Sequence, residues 1–344
     1  MTSPFPLSVH TTYQDLLSAH SVQSISDIPG KPFLRDMGDK GKYWYTRHRI
    51  GDRPVQKYIG PDTPDIGERI EKASAANEDA QAFSKRCALL VAQLRAAGVP
   101  ALDRETGKVL NAMATSGVFR LGGTLVGTHA FRLYSAELGV RFDSTLAATS
   151  DVDIAAFENL KLVIDDAVDP ALPESFQSLR LQPAPGLNKK NRPTKWVMGG
   201  GGGAEVEFLV PKMLEDSETL KLEPLGVYAQ ALPFLNFLIA DPIPAVALYR
   251  SGVLVQIPRP ERYAVHKLIV SARRHGSARL KARKDLAQAE VLFRILFEDR
   301  PAELAEALDA ALEKGPKWRE AITTSLAKSA PLDAMAKSIL NLHR

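Results

Sequence analysis

The sequence predicts an α+β protein: an N-terminal β-hairpin plus long helix, a central group of strands with flanking helices, and a C-terminal helical subdomain. Three observations predict it. Residues 42–60 alternate in strand fashion on both sides of Gly51-Asp52, the pattern of two strands joined by a tight turn. Between residues 118 and 257 short apolar runs are separated by Gly, Pro and Asn, as strands are. From Pro260 onward apolar residues recur at helical spacing.

The 344 residues allow about two or three compact units, with boundaries expected at 1–100, 101–258 and 259–344. A composition of 45% hydrophobic and 24% charged residues with no long apolar run describes a soluble chain without a transmembrane helix. No secretory signal is expected, because residues 1–10 lack a basic region followed by an apolar core. The single Cys87 excludes an internal disulfide and fits a reducing cytoplasm. Within KRCALLVAQL it reads as a buried structural thiol rather than a nucleophile.

Residues 13–20 read as a short helix. The hairpin then interleaves Tyr43, Trp44, Tyr45 and Tyr58 with Arg47, Arg49, Arg53 and Lys57, a mixture suited to unstacked bases or a nucleic-acid backbone. Trp44 is expected instead to pack on the helix that follows, since so small a hairpin needs a partner to be stable. Pro61 to Pro64 ends the hairpin, and residues 65–97 and 104–114 read as two helices.

Residues 118–127 read as a strand ending in Gly127-Thr128, followed by the helix HAFRLYSAELG and then the strand TSDVDIA. A strand, a turn and a helix N-terminus make an anion cradle, because free amide groups and the helix dipole both favour negative charge. Gly127 lets the backbone approach a phosphate and the Thr128 hydroxyl can donate to it. In the next strand Asp151 and Asp153 project from one face about 7 Å apart, while Val152 and Ile154 point to the core. Two like charges on an apolar strand repel and resist burial unless a cation joins them. That conflict with the local pattern marks a candidate site for a hard divalent cation beside a phosphate.

Further along, residues 158–166 read as a helix or strand edge, SFQSLRLQP as a strand, and residues 188–191 as a turn before a strand through Trp196. Lys189, Lys190, Arg192 and Lys195 surround that turn. The five glycines 199–203 lack a following Lys-Ser/Thr and read as a hairpin connection rather than a phosphate loop. They lead into AEVEFLVP, where Glu205 and Glu207 share a strand face. PFLNFLIA, AVALY and VLVQIP read as further strands. Pro258 and Pro260 then open a helix on which Lys267, Ser271 and Arg274 share a face. A helix starting at residues 281–285 follows, whose Asp285 is expected to pair with the preceding basic helix, and one or two amphipathic helices run from Pro301 to the end.

The pairing of LVGTHAF with TSDVDIA resembles the minimal nucleotidyltransferases of the DNA polymerase β superfamily, in which an apolar strand ending in Gly-Ser or Gly-Gly precedes a helix and an Asp-x-Asp strand. The layout, with YWYTRHR near the start and PERYAVHKLIVSARR near the end, resembles a bacterial family of that fold. The resemblance implies a central mixed sheet and transfer of a nucleoside monophosphate from a nucleoside triphosphate to an acceptor hydroxyl. It implies two Mg2+ or Mn2+ ions on Asp151 and Asp153, with a third carboxylate at Glu207 or, alternatively, Glu205. It also implies phosphate contacts from Gly127, Thr128 and Lys267. Two departures stand out. The interval from Gly127 to Asp151 is long, suggesting an insertion around residues 141–148, and Glu replaces the usual third Asp.

The net charge of +4 is unevenly spread: residues 40–60 carry six Lys or Arg against one Asp, and residues 259–284 carry nine against one Glu. Such clusters suit a polyanion, making an RNA end the preferred acceptor. A catalytically inactive nucleic-acid-binding protein on the same scaffold, or a toxin or phage-defence effector using the same chemistry, are the alternatives.

Overall fold

A computed structural model describes residues 2–21, 31–38, 41–50, 53–143, 146, 151–156, 172–186, 188, 190–199, 204–212 and 218–343. Half of the expected insertion at 141–148, and the whole of segments 158–166 and 200–203, lie outside them.

The N-terminal part comprises β1 (Ser3–Pro4), α1 (Leu7–Ser21), the antiparallel strands β2 (Lys31–Asp36), β3 (Lys42–Ile50) and β4 (Arg53–Pro61), and the 33-residue α2 (Pro64–Ala96). The predicted hairpin is β3 with β4; β2, which was not predicted, pairs with the far edge of β3. Trp44 and Ile59 pack with Ile66 on buried Ile70, so one face of this sheet leans on α2, as expected for Trp44. Pro64 suits the first turn of α2 because it has no amide hydrogen to leave unsatisfied there. Cys87 is fully buried between α1 and α2 with Tyr13, Leu16, Val91 and Leu94, and burial pushes its thiol pKa up.

The central part runs α3 (Arg104–Thr115), β5 (Thr124–Val126), α4 (Gly127–Glu137), β6 (Val140–Arg141), β7 (Asp151–Ala155), α5 (Leu172–Ser178), β8 (Leu181–Pro183), β9 (Lys195–Met198), β10 (Glu205–Pro211), β11 (Thr219–Leu222), β12 (Val227–Leu232), α6 (Leu235–Leu238), β13 (Ile243–Ala247) and β14 (Val253–Ile257). Its mixed sheet has the order β11-β12-β10-β7-β5, with β9 also on β10 and β8 on β9. Strand β10 is parallel to β7 and to β12, whereas β5 and β9 are antiparallel to their partners. The C-terminal helices are α7 (Pro260–Arg273), α8 (Arg279–Asp299), α9 (Pro301–Leu312), α10 (Pro316–Leu326) and α11 (Ala330–His343).

Four expectations are corrected. Of the strand expected over 118–127, residues 118–122 form turns, because Gly117 and Gly122 take positive φ (90° and 96°), and only β5 is extended. SFQSLRLQP splits into the end of α5 and β8, divided at Arg180, whose φ of 63° breaks both patterns. PFLNFLIA is a turn plus α6, with Phe234 at φ 67° and packed edge-on against Trp318. The strands before it are β11 and β12, and AVALY and VLVQIP form a separate two-stranded sheet, β13-β14. Three helices, not one or two, follow Pro301.

One apolar core extends from Val109 to Ile339, so α7 to α11 share it with the central sheet. Val152 and Ile154 of β7 and Val206 and Phe208 of β10 are fully buried in it. Among the described residues no helix is long and apolar enough to cross a membrane.

Candidate active site

The parallel pairing of β7 with β10 sets Asp151 opposite Glu205 and Asp153 opposite Glu207. Register partners in a parallel pair project from the same face, so the four carboxylates stand as a two-by-two patch opposite the apolar face that holds the strands. Each charge is therefore imposed on strands whose pairing is secured by burial on the other side.

The turn after β5 closes this patch. Val126 pairs with Asp153, and Gly127 follows at φ 65° as the first residue of α4. A Cβ placed on Gly127 would collide with Asp153 Oδ2, so glycine is required both by the backbone conformation and by the carboxylate. The Tyr263 hydroxyl of α7 donates to the Gly127 carbonyl at 2.8 Å and lies 3.3 Å from Gln288 Oε1 of α8. Two C-terminal helices thus fix the turn from below.

The electrostatics follow from this crowding. Burial, then the charges of Glu207 and Asp151, push the Asp153 pKa up to about 7 against the opposing pull of Lys267 and Lys195. Glu207 is raised as well, by burial, with Lys195 opposing and Asp151 and Glu205 adding to the rise. Glu205 forms an ion pair with Lys195 of β9, whose own pKa rises through that bond. Glu207 is the direct register partner of Asp153 on β10, while Glu205 is engaged by a lysine.

Lys267 is buried and sits 2.5 Å from Asp285 Oδ1, with its ammonium 5.1 Å from the centre of the Tyr263 ring. Arg274 Nε donates to the other oxygen of the same carboxylate at 2.6 Å, and Ser271 donates to Ala282 O at 2.9 Å. The face read from the helix spacing therefore docks on α8, and Asp285 pairs with the basic helix before it as expected. Thr128 Oγ1 accepts from Lys284 Nζ at 3.4 Å. The charge of Lys284 also acts with Asp151, and that of Lys281 with Glu207. Sequence reasoning did not single out Lys281, Lys284 or Tyr263; the signal available was the basic run KARK opening α8. His129, third in α4, is 1% exposed with neither ring nitrogen bonded among the described residues. Burial pushes its pKa down to about 4, so it is a neutral ring at physiological pH.

The donors are hard carboxylate oxygens whose mutual repulsion a divalent cation would relieve, which fits Mg2+ or Mn2+ in chemistry. Among the described residues no three acidic, His or Cys side chains are close enough to hold an ion as they stand.

A mixed sheet whose paired carboxylates adjoin a strand–glycine–helix turn places the molecule in the class of nucleotidyltransferase folds. Residues 104–313 match the model of a family described as nucleotidyltransferase, and the chain belongs to that family. Residues 11–68 match a domain of unknown function (DUF6788). No curated protein matches the chain. Among solved structures the chain is similar to an antigenic nucleotidyltransferase-like protein from Paracoccidioides brasiliensis, at 15% identity and a TM-score of 0.34, over 65% of this chain and 95% of that one.

Proposed function

We propose that the protein transfers a nucleoside monophosphate from a nucleoside triphosphate to an acceptor hydroxyl, releasing pyrophosphate, in the manner of the minimal DNA polymerase β superfamily enzymes of bacteria. The observation that carries this reading is the register of Asp153 with Glu207 directly beside Gly127 at the start of α4. Asp151, Asp153 and Glu207 would hold Mg2+ or Mn2+, which supplies positive charge to the triphosphate and to the attacking oxygen. The amide groups at Gly127 and Thr128 bind the outer phosphates at the helix N-terminus. Lys267 and Lys284 place positive charge where the leaving pyrophosphate gathers negative charge. Tyr263 and Gln288 keep the turn in position. The acceptor in this reading is the hydroxyl of an RNA end, which the basic clusters would attract.

The test is incubation with each α-labelled nucleoside triphosphate, Mg2+ or Mn2+, and total cellular RNA and protein, comparing wild type with Asp151→Ala/Asp153→Ala. Label entering RNA with the wild type alone is expected. Label entering protein instead would move the acceptor to a protein hydroxyl, and no transfer under any condition would sink the catalytic reading.

A further inference from the structure

The sheet β2-β3-β4 has two unlike faces. One leans on α2 through Trp44 and Ile59. The other collects alternate residues of each strand, since Phe33 pairs with Tyr45, Tyr45 with Tyr58, and Arg35 with Tyr43. A register shift beside Tyr45 lets Tyr58 reach two rings at once, 5.5 Å from Tyr45 and 6.1 Å from Tyr43. Phe33 stacks on Tyr45 at 6.0 Å. Arg47 lies over Phe33 at 5.3 Å and Arg35 over Tyr45 at 6.0 Å.

The result is a continuous row of four rings edged by cations, with Tyr58 51% exposed and Lys31, Arg35 and Arg47 all open to solvent. The only carboxylate in the three strands, Asp36, pairs with Lys42 on the opposite face. A ring row that existed only for packing would be covered, and a solvated basic face would not need four aromatic side chains. Rings with edge-mounted cations and no acid complement one chemistry: flat bases joined by phosphates.

We infer that this outward face binds single-stranded nucleic acid, bases stacking on the row of rings and phosphates meeting Lys31, Arg35 and Arg47. The inference deepens the proposed function by naming the surface that would hold an RNA acceptor, but binding here requires no catalysis. A duplex is a poor ligand, because its bases are already stacked on one another.

The test is fluorescence anisotropy of the full chain with labelled oligo(U), oligo(dT) and a duplex of equal length, each about 12 nucleotides long, within the span such surfaces cover. Single strands are expected to bind more tightly than duplex. Tyr58→Ala should weaken single-strand binding about 5- to 100-fold, and Tyr58→Phe, which keeps the ring, should restore it. Arg35→Ala/Arg47→Ala should flatten the salt dependence, as two fewer phosphates are neutralised. A preference between oligo(U) and oligo(dT) tells RNA from DNA as the natural strand. Binding is read without nucleoside triphosphate or metal, so a failed transferase assay and a failed binding assay are separate results. Equal binding by wild type and a folded Tyr58→Ala, equal binding of duplex, no binding at low salt, or displacement of the oligonucleotide by polyglutamate at equal charge would each overturn the inference, the last in favour of an acidic protein partner.

Discussion

Replacing Asp153 by Asn should make the metal-free protein more stable, and the gain should depend on pH. Folding raises the Asp153 pKa from the usual carboxylate range to about 7. Below pH about 4 the folded and unfolded chains both carry the proton, and ionisation costs the folded state nothing. As pH rises, the unfolded chain ionises freely while the folded one keeps its proton, so stability is lost until the folded pKa is passed. A shift of about three units amounts to about 4 kcal/mol in full, of which about 2.5 kcal/mol falls between pH 5 and pH 8. Asn fills the same volume and cannot ionise, so Asp153→Asn should lack this part of the decline. The assay is denaturant unfolding of both proteins in EDTA at pH 5, 6, 7 and 8. The midpoint difference should widen from pH 5 to about pH 7 and then level off, and added Mg2+ should raise the wild type and not the variant. Parallel curves at all four pH values would refute the argument that burial, with Glu207 and Asp151 adding to it, stores unfavourable energy in this carboxylate.

Other substitutions probe the supports of the site. Gly127→Ala forces a side chain into a positive-φ turn and against Asp153, so it should cost about 1–2 kcal/mol from the backbone alone and abolish monophosphate transfer while circular dichroism stays native. Asp285→Ala strips both Lys267 and Arg274 of their shared carboxylate. It should lower unfolding stability by about 3–5 kcal/mol, and Asp285→Ala/Lys267→Met should regain part of that. Tyr13→Phe leaves the buried Val246 amide without its 3.1 Å acceptor and should cost about 1–3 kcal/mol in denaturant unfolding. Cys87, fully buried with a raised pKa, should react with a thiol reagent only after the protein is unfolded.

The carboxylate pair was legible in the sequence because it violates a local rule: an apolar strand has no reason of its own to carry Asp151 and Asp153. Glu205 and Glu207 stand out for the same reason; strand alternation does not separate them, and the structure adds that Lys195 pairs with Glu205. The long helix α2 could be read from its Pro start and from Gly98 at φ 84° just beyond its end. The strand β12 was missed because VYAQAL buries alanines where strands usually show branched or aromatic residues. PFLNFLIA misled in the opposite sense, since an apolar run of that length fits a buried strand or a buried turn equally well. Lys281, Lys284 and Tyr263 were not legible as site residues, because only the packing of α7 and α8 beneath the turn brings them to it.

The parallel pairing of β7 with β10 also sets the order in which the molecule can assemble. The partners Asp153 and Glu207 are far apart along the chain, and a parallel pair needs a long excursion before its two strands meet, so chain entropy is lost before any contact rewards it. Early encounters must be driven by Val152, Ile154, Val206 and Phe208, because the charged face opposes them. A nascent chain ending short of β10 could pair β7 only with β5, leaving Asp151 and Asp153 without Glu205 and Glu207 opposite them. The four-carboxylate patch is therefore complete only once β10 has docked on β7.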